Sequence, residues 1–247
     1  MDNTFIASYL DWDHRTPTDW QRFANRVLRK LKRNTRLTPA PGDMANVEAR
    51  MNLFFLIEQV MVHGVPGDVV DIGCYAGDST IVMQKVVTTL APGKTVHAYD
   101  SFEGLPTLTA NDLNDKVYQK GYMATTMDVF KQRFNTVGLK MPEIHKGWFE
   151  DTIPGQLPDR ISFAWMDGDL YESAKHYLPH LYERMSPGAI GAIAVYYDEK
   201  KFPRKGLSPA YISPGYRRAL DEFLADKPEK VSLLYSNEYT MGYFRKV

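Results

Sequence analysis

Three apolar runs in this sequence end in aspartate: Val69-Val70-Asp71, Thr95-Val96-His97-Ala98-Tyr99-Asp100 and Ile161-Ser162-Phe163-Ala164-Trp165-Met166-Asp167. An acid at the end of a strand can accept protons from a ligand's hydroxyl or ammonium groups. After Asp71 comes Ile72-Gly73-Cys74-Tyr75-Ala76-Gly77, a G-x-x-x-G turn, and then the helical run Ile81-Val82-Met83-Gln84-Lys85-Val86-Val87. Glycines let backbone pass close to a ligand, and the following helix opens with unpaired N–H groups, so Gly73, Gly77 and Ser79 become candidate contacts. An acid placed like Asp100, beside a glycine-rich first turn, holds the two hydroxyls of a ribose. Ser101 and Phe102 follow it into the same region. A nicotinamide dinucleotide wants G-x-G-x-x-G. The wider turn here lacks the glycine that admits a pyrophosphate and suits S-adenosylmethionine, with Asp71 placed for the ammonium group. An ordinary βα turn without a ligand is the competing reading.

Asp167-Gly168-Asp169 offers two carboxylates across a glycine, a pattern that can serve a hard cation and a proton transfer. Asp169 could instead cap the helix that begins at Tyr171. His145 and Trp148 close a shorter strand-like run and flank Gly147. The indole can lie on core side chains or stack on an adenine, and the imidazole can help carry a proton. His176 and His180 stand four residues apart on one predicted helix, without an acidic or cysteine partner nearby in sequence, and read as a solvated pair. Cys74 lies in the glycine turn with no catalytic His or Asn pattern aimed at it, and reads as packing.

Only a sheet with its strand ends on one side could gather these acids. The pattern predicts helices over 17–33, 45–63, 126–137, 171–185 and 214–225, and strands over 69–72, 95–99, 143–145, 161–166 and 189–197. Two more strands, 231–235 and 239–244, form a terminal hairpin. Alternation of strand and helix makes a mostly parallel seven-stranded α/β sheet, and the hairpin adds one antiparallel strand. Residues 107–125 and 198–213 read as loops, the first of them a lid. Residues 1–44 form an N-terminal arm and helical extension, and 45–247 the cofactor-binding domain. The helical extension carries Arg22, Arg26, Arg29, Lys30, Lys32 and Arg33 on one face, a solvated stripe in a chain of zero net charge. Thirty basic side chains balance thirty acidic ones, which argues against nucleic acid. A single cysteine excludes an internal disulfide, and no apolar run reaches the ~18 residues of a membrane span. A cytoplasmic location is expected, with a small-molecule partner and self-association left open.

The same blocks resemble the macrocin O-methyltransferase-like family of natural-product biosynthesis. The matching pieces include Val65-Pro66-Gly67-Asp68-Val69-Val70-Asp71-Ile72-Gly73, Asp100-Ser101-Phe102-Glu103-Gly104-Leu105-Pro106, Lys146-Gly147-Trp148-Phe149 and Asp167-Gly168-Asp169-Leu170-Tyr171-Glu172-Ser173. Pro214-Gly215-Tyr216-Arg217-Arg218-Ala219-Leu220 continues the match, which runs over roughly residues 45–227. The resemblance implies a class I methyltransferase, Rossmann-like fold and S-adenosylmethionine as cofactor. It also implies a magnesium ion that grips a substrate diol, with Asp167 as metal ligand and Asp169 as general base. The family follows its Ser-Pro-Gly turn with a strand ending in an Asp-Asp pair that completes the metal site. Here that pair falls on Ala194-Val195, and Asp198 arrives about four residues late.

The expected function is transfer of a methyl group to a hydroxyl, or another acidic oxygen, of a small-molecule natural product. Asp169 and His145 are the catalytic candidates. Asp71, Gly73, Gly77, Ser79, Asp100, Ser101, Phe102, Gly147, Trp148 and Asp167 are the cofactor candidates, and Asp167 and Asp198 the residues for a weakened or absent magnesium site. The alternative is a cofactor-binding homologue that has lost the transfer.

Overall fold

Short strands alternating with helices fold into one sheet in the computed structural model, which describes residues 19–31, 47–112, 118–196, 213–236 and 239–247. The chain divides into two units, Met1–Met44 and Ala45–Val247. The first contains helix α1 (Asp19–Lys30). The second begins with α2 (Val47–Val62) and β1 (Asp68–Ile72), then α3 (Asp78–Leu90), β2 (Val96–Asp100), α4 (Met127–Val137) and β3 (Glu143–Lys146). It continues with α5 (Phe149–Gln156), β4 (Ile161–Met166), α6 (Tyr171–Arg184), β5 (Met185–Ile193), α7 (Pro214–Leu224), β6 (Ser232–Ser236) and β7 (Tyr239–Arg245). No helix among the described residues is long and apolar enough to cross a membrane.

The strand order is β3-β2-β1-β4-β5-β7-β6. β1 pairs in parallel with β2 and β4, β2 with β3, and β4 with β5, while β7 runs antiparallel between β5 and β6. Parallel strands buried on both faces carry no alternation, and Val69, Val70, Ile72, Phe163, Ala164 and Met166 are all fully covered. From β1 the chain winds outward through β2 to β3; from β4 it winds the other way. Right-handed crossovers therefore lay α3 on one face and α6 on the other. The order reverses between β1 and β4, and the carboxyl ends there diverge into a crevice.

Boundaries shift where local signals mislead. Ser186-Pro187-Gly188 reads as a turn ahead of a strand. In the structure β5 already begins at Met185, and the register moves from Ile161↔Met185 to Phe163↔Ile190, so those residues are an irregularity within the strand. β5 then ends at Ile193 rather than at 197. Helix α5, which the sequence pattern left out, forms despite Pro154 and Gly155. It is only eight residues long, so few hydrogen bonds are at stake.

Helix α4 is held at both ends as its sequence suggests. Thr126 accepts from the Val129 N–H at its start, and Gly138 closes it in the left-handed conformation. Its Phe130 and Phe134 are completely buried and stacked 4.9 Å apart, and Phe130 meets Phe102 edge-on at 6.0 Å. Deleting a buried phenyl ring leaves a cavity as well as losing transfer energy, so Phe130→Ala should cost about 3–5 kcal/mol. Urea unfolding monitored by circular dichroism measures this; a loss below ~1 kcal/mol would mean that α4 is not integrated with the sheet.

Candidate active site

The three strand-end acids do meet. Asp71 lies in β1 opposite Ala98 of β2 and Trp165 of β4, one residue before the strands part. Its carboxylate is completely buried. Oδ2 accepts from the Ser79 and Thr80 hydroxyls at 2.8 and 2.5 Å, while Oδ1 is buried without a hydrogen-bond partner. Burial, and then the charge of Asp100, pushes its pKa up to about 7 against the pull of the two hydroxyls. Asp100 accepts from the N–H of Tyr75 at 2.8 Å and of Phe102 at 2.7 Å. Burial raises its pKa, and those two bonds oppose the rise. Asp167 too is raised well above the ordinary carboxylate range: burial acts first, then Asp169, Asp71 and Asp100, and every influence pushes the same way. Four carboxylates thus share one end of the sheet.

Backbone strain marks the same place. Tyr75, Phe102 and Asp169 all have positive φ, at 45°, 60° and 59°. Non-glycine residues there cost of order 1–2 kcal/mol each and persist where surroundings enforce them. The glycines have more specific reasons. A Cβ on Gly73, at φ +84°, would lie 2.1 Å from the Asp167 carbonyl oxygen. Its role is close approach of β1 to β4, not room for the ligand alone. A Cβ on Gly77 would press on the Phe130 ring at 3.0 Å, and one on Gly147 on the Thr152 methyl at 2.8 Å.

The remaining candidates divide. Ser79 supports Asp71, as described. The Ser101 hydroxyl accepts from the Glu103 N–H at 3.1 Å and so shapes the turn after β2. Gly147 N–H donates to the Asp100 carbonyl, and half-buried Trp148 precedes α5, its carbonyl accepting from Thr152. Asp169 does not cap α6. That helix opens at Tyr171, whose N–H goes instead to Asp112 at 2.9 Å. Asp169 Oδ1 accepts from the Tyr118 hydroxyl at 2.9 Å. His145 does not join this group. Its ring nitrogens lie 3.1 Å from His97 and 3.0 Å from Gln156, and its ring stacks on Tyr99 at 4.3 Å. Cys74 is buried, and burial followed by the charges of Asp100 and Asp71 pushes its thiol up, as suits packing rather than reaction. His176 is exposed. Asp198 lies outside the described residues.

Tyr118 had no sequence signal, for it sits in a polar stretch without period. A buried hydroxyl pair, Tyr177 and Tyr216 at 2.7 Å, underlies Gly168. Described residues beside and within the expected 107–125 loop make fixed contacts. Asp112 is buried, Asn111 donates to Glu172, and the Leu105 N–H donates to the Tyr122 carbonyl.

The residues fit S-adenosylmethionine: a buried carboxylate oxygen lacks a donor, an acid closes β2, and the crowded acids favour a cation. They do not, among those described, fit a magnesium cage. Ala194, buried, follows β5 and donates its N–H to the Met166 carbonyl, so apolar residues stand beside Asp167 where the family's acid pair belongs.

The family model for Macrocin-O-methyltransferase (TylF) matches residues 10–201. The chain belongs to that family. An 8-demethyl-8-(2,3-dimethoxy-alpha-L-rhamnosyl)-tetracenomycin-C 4'-O-methyltransferase from Streptomyces olivaceus is 35% identical over 163 residues, 62% of this chain. The chain spans 62% of that relative's length. Among solved structures, the O-methyltransferase NovP superposes with TM-score 0.76 at 23% identity, covering 99% of this chain and all of its own. A Bacillus cereus O-methyltransferase in complex with SAH gives TM-score 0.55 at 16% identity, over 98% and 97% of the two chains. At these identities the two structures establish the shared fold.

In this macrocin-type site Gly73 is the most constrained glycine. Gly73→Ala should lose at least ~2 kcal/mol, from left-handed strain plus the clash with Asp167. Gly93→Ala, with nothing within 4 Å of the added carbon, should stay within ~1 kcal/mol of wild type. Parallel denaturant titrations compare them; equal stability of the two variants would refute the close β1–β4 approach.

Proposed function

We propose that the protein is an S-adenosylmethionine-dependent O-methyltransferase acting on a hydroxyl, or another acidic oxygen, of a small-molecule natural product. The observation that carries this reading is the gathering of Asp71, Asp100, Asp167 and Asp169, where every influence on Asp167 disfavours negative charge. Such a site favours a cationic ligand. When bound, the cofactor supplies a methyl group activated by its sulfonium charge. Asp100 would hold the ribose hydroxyls and Asp71 the ammonium group, with the Gly73–Gly77 turn as backing. Asp169 takes the acceptor's proton, and Tyr118 fixes the orientation of that carboxylate through its hydroxyl. The tetracenomycin relative is named for methylation of a sugar-bearing compound, which supports a glycosylated or otherwise hydroxylated acceptor here.

Binding should be linked to a proton. The folded pKa of Asp71, about 7, lies above the ordinary carboxylate value, so the free protein keeps this proton up to near-neutral pH. An ammonium group beside the carboxylate favours its ionised form and expels the proton. Calorimetry with S-adenosylhomocysteine at pH 6.5 in buffers of different ionisation enthalpy should show proton release, lost in Asp71→Asn. Affinity should rise with pH through 7 and level off above it. Asp100→Ala should weaken binding by at least about tenfold, since bonds to a charged group contribute ~1.5–3 kcal/mol each. Unchanged affinity in Asp100→Ala would remove the ribose assignment.

Turnover tests the base. Asp169→Asn should lower kcat by ~10²-fold or more while S-adenosylhomocysteine still binds. Activity should largely survive excess EDTA. Loss restored by Mg²⁺ would instead bring Asp198, outside the described residues, together with Asp167 into a metal site. Cofactor binding with no transfer to any hydroxylated acceptor would favour the inactive homologue.

A further inference from the structure

A second cluster of ligating side chains lies on the β2–β3 edge, away from the four aspartates. His97 of β2 is in register with Glu143 of β3, and Tyr99 with His145. Alternate residues of neighbouring parallel strands share a face, so His97, Glu143 and His145 project together. His97 Nδ1 lies 3.1 Å from His145 Nε2 and 3.4 Å from a Glu143 carboxylate oxygen. All three ligand atoms fall within 4.8 Å of one another, and among the described residues no other group of three His, Cys, Asp or Glu side chains does so.

We propose that His97 Nδ1, His145 Nε2 and the Glu143 carboxylate form a binding site for one divalent transition-metal ion of the Zn²⁺ class. The spacing fits. Bonds of about 2.0–2.2 Å at tetrahedral angles separate neighbouring ligand atoms by roughly 3.3–3.5 Å, close to the two distances here. The outer nitrogens point the same way. A metal-bound imidazole donates its other N–H to a fixed acceptor, which leaves the inner nitrogen with its lone pair. His145 Nδ1 faces the Gln156 side-chain oxygen at 3.0 Å, while His97 Nε2 is buried without a hydrogen-bond partner and has an Asp68 carboxylate oxygen 3.6 Å away, just outside bonding reach. With protons on those outer nitrogens, two lone pairs confront each other across 3.1 Å, and a cation between them removes the repulsion.

The supports are already rigid. Asp68 is pinned by the Thr95 N–H at 2.8 Å. The ring of buried Tyr99 lies against His145, and its hydroxyl donates to the Gln156 carbonyl at 2.6 Å. The Glu143 side chain is 63% exposed, so an ion and a fourth, water ligand can enter from solvent. Two imidazoles with one carboxylate select a borderline metal over Mg²⁺. The ion would clamp β3 to β2 just before Asp100 and thereby stiffen the strand end that the candidate active site uses.

The test uses the purified full-length chain stripped with chelator, titrated with Zn²⁺ by calorimetry and with Co²⁺ by visible absorption. One equivalent of Zn²⁺ should bind and raise the melting temperature, and Co²⁺ should give the intense d–d bands of a tetrahedral site. Glu143→Gln, at an exposed position that should not disturb folding, should weaken binding by about tenfold or more, and His145→Gln should abolish it. His176→Ala controls for the histidine pair on α6. Binding that survives His145→Gln but disappears in His176→Ala would overturn the proposal. So would the absence of any Zn²⁺ uptake by the wild-type chain, which would leave a proton shared between the two imidazoles. Neither readout depends on methyl transfer.

Discussion

Negative charge crowded at the carboxyl ends of β1, β2 and β4 is the constraint that shapes the rest of this molecule. Buried carboxylates are costly unless donors meet them. The donors described here are local hydroxyls and backbone N–H groups. Ser79 and Thr80 serve Asp71, Tyr75 and Phe102 serve Asp100, and Tyr118 serves Asp169. Turning the Tyr75 and Phe102 N–H groups toward Asp100 goes with left-handed backbone at those same two residues. The strain and the charge are two sides of one arrangement. The donors only partly offset burial, since Asp71, Asp100 and Asp167 all remain raised. The residual imbalance is what a cationic ligand would relieve.

A layer of close approaches holds this arrangement in place. Gly73 lets β1 reach the Asp167 carbonyl, and Gly168 lets the acidic turn settle on Tyr177 and Tyr216. Gly77 seats the start of α3 against Phe130 and Phe134. Gly215, at the start of α7, leaves room for Asp112, whose carboxylate takes the Tyr171 N–H. That last contact has a consequence for Asp169. Because Asp112 caps α6 from a distant loop, the neighbouring acid is spared the capping role and is turned toward Tyr118.

Local periodicity made most of the fold legible. Buried parallel strands read as unbroken apolar runs, and glycine turns punctuate them, so the sheet and its single antiparallel strand could be written from residue types. The misreadings occur where a local signal and a tertiary requirement disagree. Pro154 and Gly155 look like a loop, yet packing of α5 against β2, β3 and α6 keeps one short helix. Ser186-Pro187-Gly188 looks like a turn, yet β4 holds Met185 in register. In the site, Asp71, Asp100, Asp167 and Asp169 were legible because each stands at or just past the carboxyl end of a strand. Tyr118 and Asp112 were not, because their partners lie 51 and 59 residues away and nothing in the polar stretch around them has a period. His145 was misplaced for a related reason: its position in the chain is near the strand end, but its side chain belongs to the other histidine.

The apolar pair Ala194-Val195 gives the acidic turn a different character from that of a metal cage. Beside a divalent ion, neighbouring carboxylates would be ionised together and would serve as ligands. Here the Met166 carbonyl is tied to the Ala194 N–H, and Asp167 feels only burial and other acids. Crowded carboxylates disfavour one another's charge, and burial adds to this at Asp167, which is raised well above the usual carboxylate range. The Tyr118 hydroxyl meanwhile donates to Asp169. A positive ligand arriving beside Asp167 would lower the cost of holding negative charge across this turn, which is the physical sense in which a cationic cofactor suits the proposed site.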